Sequence, residues 1–262
     1  MNAQGRIAVA GATGRVGHHV VDVLEERGYD VVAMSRSLGV DVVTGEGLAE
    51  ALEGVETVID AASFPGPQQG PATEFFVASS RNLHRLGAQA GVQRLVVVSI
   101  IGADRFSAGF IAATKVHEQE VLAGRIPVRI LRAAQFHEFV EPLLEWGGKQ
   151  NGVTYVPTMR TQLVAGRTVA EALVDLAEDT QADDARTSAG PIREIAGPRT
   201  ESLVEMATLL AAHRGDQVRI EGVTDPTDPD REVYANGGLL PGPHATLAGP
   251  TYQEWLESEA RS

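Results

Sequence analysis

The 262-residue chain contains no cysteine. That absence excludes disulfides, thiolate nucleophiles and cysteine-ligated zinc, and it suits a reducing compartment, so a cytoplasmic location is the expectation. Basic residues are scarce, with 22 Lys and Arg against 35 Asp and Glu and a formal net charge of −13. So acidic a chain lacks the basic face that a nucleic-acid binder needs. Long apolar runs are missing too, and nothing approaches the roughly 20 consecutive apolar residues of a membrane helix. The opening MNAQGRIAVAGATG runs straight into a strand pattern, without the basic start and small-residue cleavage site of a secretory signal. No His, Asp or Glu spacing stands out as a metal site. The expected partners are small molecules and other copies of the chain, as monomer or homodimer, with neither nucleic acid nor membrane.

Apolar residues make up 43% of the chain, enough for a substantial core. The first two-thirds alternates short β-branched runs with amphipathic stretches, the mark of repeated βα units and a parallel sheet. Strands are expected at Arg6–Ala10, Asp30–Ser35, Val40–Val43, Thr57–Ala61, Leu95–Ser99 and Val128–Leu131. Most are apolar throughout, as strands covered by helices on both faces must be. Helices are expected near 14–27, 46–53, 73–90 and 112–123, with Gly28 and Gly54 at two helix ends. Beyond residue 150 the rhythm changes. Thr168 and Glu171 are spaced as a capping box for a helix running to about Glu178, and a second helix follows Pro198 and ends near Gly215. Residues 222–251, rich in Pro, Gly and Asp, read as a long loop before a terminal helix at Tyr252–Glu259. Residues 1–150 are thus expected to form the nucleotide-binding core, and 151–262 a smaller substrate-side region completing the same domain.

The strongest local signal is Gly11-Ala-Thr-Gly14-Arg-Val-Gly17, which follows an apolar strand and opens an amphipathic helix. In that context Gly11 permits the tight turn, Gly14 lets backbone N–H groups approach a pyrophosphate, and Gly17 lets helix pack on strand. The helix N-terminus adds positive dipole for the phosphates. Glycine spacing alone is a weak pattern; the strand before and the helix after make dinucleotide binding the preferred reading. An NAD site usually carries a carboxylate about 20 residues further on, for the ribose 2′-hydroxyl. Here the stretch is Val32-Ala-Met-Ser35-Arg36-Ser37, with an Arg and no acid. A guanidinium suits a 2′-phosphate, and Arg15 offers a second one, so NADP(H) is preferred over NAD(H). The blander alternative makes both solvated surface arginines.

The Gly11–Gly17 stretch, with Val98-Ser-Ile-Ile-Gly102, Lys115 with its helix and Ile130-Leu-Arg-Ala-Ala-Gln-Phe136, resembles the atypical short-chain dehydrogenase/reductases of the NmrA-like and isoflavone-reductase-like group. The likeness is strong over about 5–140 and looser in Val164–Leu173, Glu194–Pro198 and the last twenty residues. It implies an α/β fold with a Rossmann-type doubly wound parallel sheet and a small C-terminal substrate-side subdomain. It also implies roles: Gly11, Thr13, Gly14, Arg15, Val16, Gly17, Ser35 and Arg36 around the phosphates, and Asp41 and Val42 beside the adenine. Ala61, Ala62 and Ser63 would line ribose and phosphates, Ser99 and Ile100 would floor the nicotinamide, and Gln135 and Phe136 would meet its carboxamide. Lys115 matches the family lysine that holds the nicotinamide ribose and is discussed as a general base.

One departure stands out. The superfamily's usual Tyr, four residues before the Lys, is Ile111 here, position 112 is Ala, and the tyrosines at 29, 155, 234 and 252 lie elsewhere in the sequence. The candidates for proton transfer become Lys115, Ser99 and His137, the last in the loop after the sixth expected strand. Lys115 and Glu118 share a helix face, so a simple ion pair is expected there. Phe64, Phe136, Phe139, Trp146 and Tyr155 are candidates for an apolar pocket or for plain core. The leading functional expectation is an NADPH-dependent oxidoreductase acting on a small apolar carbonyl, quinone or conjugated compound. The alternatives are a non-catalytic NADP sensor of the NmrA type, or a lyase or isomerase on the same fold.

Overall fold

The computed structural model describes residues 5–146, 148–150, 152–179 and 190–259. Along the chain the elements are β1 (Arg6–Ala10), α1 (Gly17–Glu26), β2 (Asp30–Met34), α2 (Leu48–Ala51), β3 (Thr57–Asp60), α3 (Gln69–Ala90), β4 (Arg94–Ile100), α4 (Gly109–Leu122) and β5 (Val128–Ala133). Then follow α5 (Val140–Trp146), β6 (Lys149–Gln150), β7 (Val153–Pro157), β8 (Arg160–Thr161), α6 (Gly166–Glu178), β9 (Ile192–Ala196), β10 (Glu201–Ser202), α7 (Leu203–Arg214), β11 (Arg219–Val223), α8 (Arg231–Ala235), β12 (Thr246–Leu247) and α9 (Tyr252–Glu259).

The main sheet has seven strands in the order β12-β9-β5-β4-β3-β1-β2. Its β1–β2, β1–β3, β3–β4 and β9–β12 pairings are parallel, with Ile7 opposite Val31 on one side and Thr57 on the other. The expected doubly wound sheet is therefore the one observed. Contacts divide the chain into two compact units. The first draws on Met1–Ser99, Gly109–Arg132 and Val169–Arg193, and the second on Ile100–Ala108, Ala133–Thr168 and Glu194–Ser262.

In the first unit the apolar strands bury themselves against the helices, with Ala8, Met34, Leu48, Leu52, Val58, Leu83, Leu95 and Ile130 in one cluster. Arg27, after α1, holds Asp175 and Glu178 of α6 at 2.8 and 2.7 Å. Arg94 and Arg129 donate to the Ala177 and Leu176 carbonyls (2.8 Å each), closing the last turn of α6 with positive charge. Because β1 is flanked by β2 and by β3, the chain reverses direction across the sheet between β1 and β3. In open α/β sheets that reversal leaves a crevice at the carboxyl ends of the strands, where ligands bind.

The second unit contains the three-stranded sheet β11-β7-β6, on which α7 packs, and the two-stranded pair β10-β8. Its α7 carries a capping box, the Ser202 side chain taking the backbone N–H of Glu205 while Glu205 takes that of Ser202. The box expected at Thr168 is not the start of α6. That helix begins at Gly166, whose N–H is taken by the Glu138 carboxylate at 3.1 Å. Val40–Val43 is a turn rather than a strand, because Asp41 Oδ1 accepts the Val43 and Thr44 N–H groups at 2.7 and 3.3 Å. The stretch expected as loop over 222–251 carries α8 and β12, and its start completes β11, paired in parallel with β7. No helix among the described residues is long and apolar enough to cross a membrane.

Candidate functional site

The turn after β1 folds as its spacing predicts. Gly11 takes φ 75°, and its N–H and that of Ala12 bond the Met34 carbonyl at 3.0 and 3.1 Å. A Cβ on Gly11 would lie 2.7 Å from the Ala61 carbonyl oxygen, and one on Gly17 would lie 2.0 Å from the Gly11 carbonyl oxygen. Backbone therefore packs on backbone at both places, and only glycine fits. Thr13, Gly14 and Arg15 are exposed. The helix begins with Val16 as its N-cap, without a side-chain cap and without an acid in its first turn. Its positive end is left unopposed, in a cradle that any Cβ would fill, and both features fit a pyrophosphate.

Ser35 and the one-turn helix Arg36–Leu38 follow β2. The Arg36 side chain is exposed, and among the described residues neither it nor Arg15 forms an ion pair. Asp41 has its carboxylate turned onto its own backbone, and Val42 is 92% buried by its 8% exposure, its carbonyl taking the Asn82 amide. After β3, Ala61 and Ala62 are half-buried and Ser63 is exposed. Asp60, buried at the end of β3, accepts the Ala62 N–H at 3.0 Å and so sets the backbone that meets Gly11. Its other oxygen faces Nε2 of the buried His117 at 3.5 Å, a ring stacked on Phe76 at 4.5 Å.

Ser99, near the end of β4, is buried, and its hydroxyl donates to Glu118 Oε1 at 2.5 Å. Arg132 grips the same carboxylate with two bonds of 2.8 and 2.7 Å. The hydroxyl proton of Ser99 is thus committed to a buried acid that a guanidinium neutralises. Lys115 is half-buried on α4, one turn before Glu118, and Ile111 and Ala112 precede it on the same helix. Glu118, expected to pair with Lys115, is buried and ties β4 to β5 through Ser99 and Arg132. Tyr29 bonds Glu178 at 3.1 Å, at the far end of α6.

The other expected residues belong to the second unit. Ile100 is half-buried. Gln135 accepts the Thr161 hydroxyl at 2.5 Å, and Phe136 bridges to Val164 in parallel. His137 is fully buried; Nε2 bonds the Pro250 carbonyl at 3.1 Å, and the ring sits 5.4 Å from those of Tyr252 and Trp255. Burial pushes its pKa from 6.5 down to about 4. Of the expected pocket aromatics, Phe64 packs against the cluster of Ala72, Phe76 and Ala113, while the side chain of Trp146 lies outside the described residues. No group of three or more potential metal ligands is found among the described residues.

Residues 11–135, from the first glycine of the cradle to Gln135, match the NAD(P)H-binding family model. A 3-beta-hydroxysteroid dehydrogenase from Mycolicibacterium neoaurum is 32% identical over 113 residues, 35% of this chain and 31% of that protein. The Photosystem II assembly factor Ycf39 of Synechocystis is 30% identical over 115 residues, 38% of this chain and 35% of that protein. The chain therefore spans about a third of each curated relative it matches. Among solved structures, MoeE5 in complex with UDP-glucose and NAD superposes with a TM-score of 0.67 at 19% identity, covering 98% of this chain and 100% of that one. Residues 11–135 thus form a domain similar to the NAD(P)H-binding family.

Within that domain type, sequence reading located the phosphate cradle and missed the support beneath it. The Asp60–His117 contact and the Ser99–Glu118–Arg132 network join residues far apart in the chain. Their visible signal is charge within largely apolar strands, Asp60 in β3 and Arg132 in β5, with Glu118 on α4.

Proposed function

We propose that the protein is an NADP(H)-dependent oxidoreductase that reduces a small apolar carbonyl, quinone or conjugated compound. The observation that carries this reading is the glycine cradle under an unopposed helix end, with the exposed Arg36 where an NAD site would place a carboxylate. Gly11, Thr13, Gly14, Arg15, Val16 and Gly17 hold the pyrophosphate in this account, and Ser35 and Arg36 take the 2′-phosphate. Asp41 and Val42 flank the adenine, and Ala61, Ala62 and Ser63 the ribose and phosphates. Ser99 and Ile100 floor the nicotinamide, Gln135 and Phe136 face its carboxamide, and Lys115 holds the ribose hydroxyls. The bound nicotinamide supplies hydride. The Mycolicibacterium relative is a dehydrogenase and the solved neighbour holds NAD, which supports nicotinamide chemistry here.

Substrate choice follows from the proton. No tyrosine stands on α4, and the Ser99 hydroxyl proton is engaged in a hydrogen bond to Glu118. Quinones and enones tolerate that loss, since the oxyanion left by their reduction is stabilised and takes its proton from water or Lys115. His137, with its ring buried and neutral, plays a structural part in this reading. A second reading, a non-catalytic NADP sensor, is favoured by the same committed Ser99 proton.

Absorbance assays of NADPH oxidation against quinones, enones and aldehydes test the proposal. Turnover that falls at least tenfold in Lys115→Met, measured at saturating NADPH, is the expected result. Tight NADPH binding without turnover on any panel member overturns the reductase reading and leaves the sensor.

A further inference from the structure

Asp60 is the last residue of β3 and lies opposite Ala10 of β1 and Val97 of β4. It therefore stands beside the residue that leads into Gly11. The Ala61 N–H donates to the Ala10 carbonyl and the Ala62 N–H to Asp60 Oδ1, each at 3.0 Å. A Cβ on Gly11 would lie 2.7 Å from the Ala61 carbonyl oxygen and 2.8 Å from Ala62 Cα, so the glycine cradle rests on this backbone. The remaining carboxylate oxygen, Oδ2, and Nε2 of His117 on α4 are buried and have no hydrogen-bond partner among the described residues. They face each other at 3.5 Å, on side chains that are 1% and 2% exposed.

Two unpartnered buried polar atoms at that distance ask for a common explanation. An ionised carboxylate only accepts, whereas a proton on Nε2, carried by one neutral tautomer and by the charged ring alike, is a donor. At 3.5 Å the two attract through a low-dielectric interior without a fully formed hydrogen bond. The neighbouring acid on α4, Glu118, is engaged by Ser99 and Arg132. The His117 ring also stacks on Phe76 of α3, at 4.5 Å and 13°. Packing on Phe76 needs a flat ring, and holding Asp60 needs an N–H. The two roles call for different atoms, so substitution separates them.

We propose that His117 is a positioning residue for the nucleotide site: its Nε2–H holds Asp60, and through Asp60 the Ala61–Ala62 backbone against Gly11. The first link concerns the chain alone, and only the effect on NADPH rests on the nucleotide reading. Two readouts keep them apart, amide exchange at Ala62 without nucleotide and the NADPH Kd by calorimetry. His117→Phe keeps a flat ring for Phe76 and deletes the donor. It should speed exchange at Ala62 and weaken NADPH about tenfold, the scale of a lost hydrogen bond to a charged group. His117→Gln deletes the ring and restores an N–H, and should recover most of both losses. A role in packing alone predicts the reverse ranking, with Phe better than Gln, and that result would overturn the proposal. His117→Phe strands a buried carboxylate, so it is also made in an Asp60→Asn background, which removes the charge and keeps an acceptor for Ala62. There the Phe substitution should change NADPH affinity by no more than about twofold, because the carboxylate that His117 holds is gone. A tenfold loss in that background as well would mean that His117 acts on something other than Asp60. If the wild type binds no NADPH, the nucleotide reading falls, and exchange at Ala62 still decides the pair: equal protection in His117→Phe and wild type would overturn it.

Discussion

Removing the Glu118 carboxylate tests whether the buried network under the candidate site is built as described. In Glu118→Ala, Arg132, whose side chain is 13% exposed, loses a two-point acceptor, and the buried Ser99 hydroxyl loses its only acceptor in the network. Breaking a buried ion pair by deleting one partner costs about 3–5 kcal/mol, because the remaining charge stays desolvated. For a chain of this size each kcal/mol moves the Tm by about 2–4 °C, so a fall of about 6–20 °C is expected. Glu118→Gln keeps an acceptor for Ser99 and should lose less. Replacing both partners, Glu118→Leu with Arg132→Met, should recover part of the loss, since a matched apolar pair leaves no stranded charge. Melting of the three variants decides it. A Glu118→Ala protein within about 2 °C of wild type, or a double variant worse than the single one, would refute the reasoning.

Three further outcomes follow from the geometry. Gly17→Ala puts a Cβ 2.0 Å from the Gly11 carbonyl oxygen, so the cradle must open; a loss of NADPH affinity by at least tenfold is expected in calorimetry, and unchanged affinity would contradict it. Arg36→Glu should weaken NADPH about 10–100-fold, as a charged hydrogen bond is lost and repulsion added, while NADH changes little; equal losses would sink the 2′-phosphate assignment. His137 makes stability depend on pH. Its ring titrates at about 4 when folded and near 6.5 when unfolded, so as pH falls through that window only the unfolded chain takes up the proton. Stability should drop by about 3 kcal/mol between pH 6.5 and 4 through this residue, and His84, also lowered by burial, acts in the same direction. Urea titrations at both ends of the window should show a shallower drop in His137→Gln; identical slopes would show that the ring is not held neutral.

Much of the first unit was legible because its rules are local. A strand that is apolar throughout, a glycine triplet and a helix pattern occupy adjacent residues, and β1, α1, β3, β4 and β5 appear where those signals stand. Val40–Val43 misled because four residues of β-like composition were outweighed by one carboxylate bonding its own backbone. The second unit was harder to read. Its strands are two to five residues long, and β11 is recognisable only through its pairing with β7. At the candidate site, the glycines and Arg36 announce themselves by spacing, whereas the engagement of Ser99 depends on Glu118 and Arg132, brought in by α4 and β5. His137 shows the same limit. Its place in a loop after β5 suggested a proton carrier, and only the fold reveals Pro250, Tyr252 and Trp255 around it.

The most direct test of the central claim is a calorimetric titration of NADPH and NADH into the full-length chain, wild type and Gly14→Asp side by side. The account predicts tight NADPH binding, weaker NADH binding, and loss of both when a carboxylate is placed in the phosphate cradle. Absence of NADPH binding to the wild type, or equal binding by the Gly14→Asp variant, would contradict it.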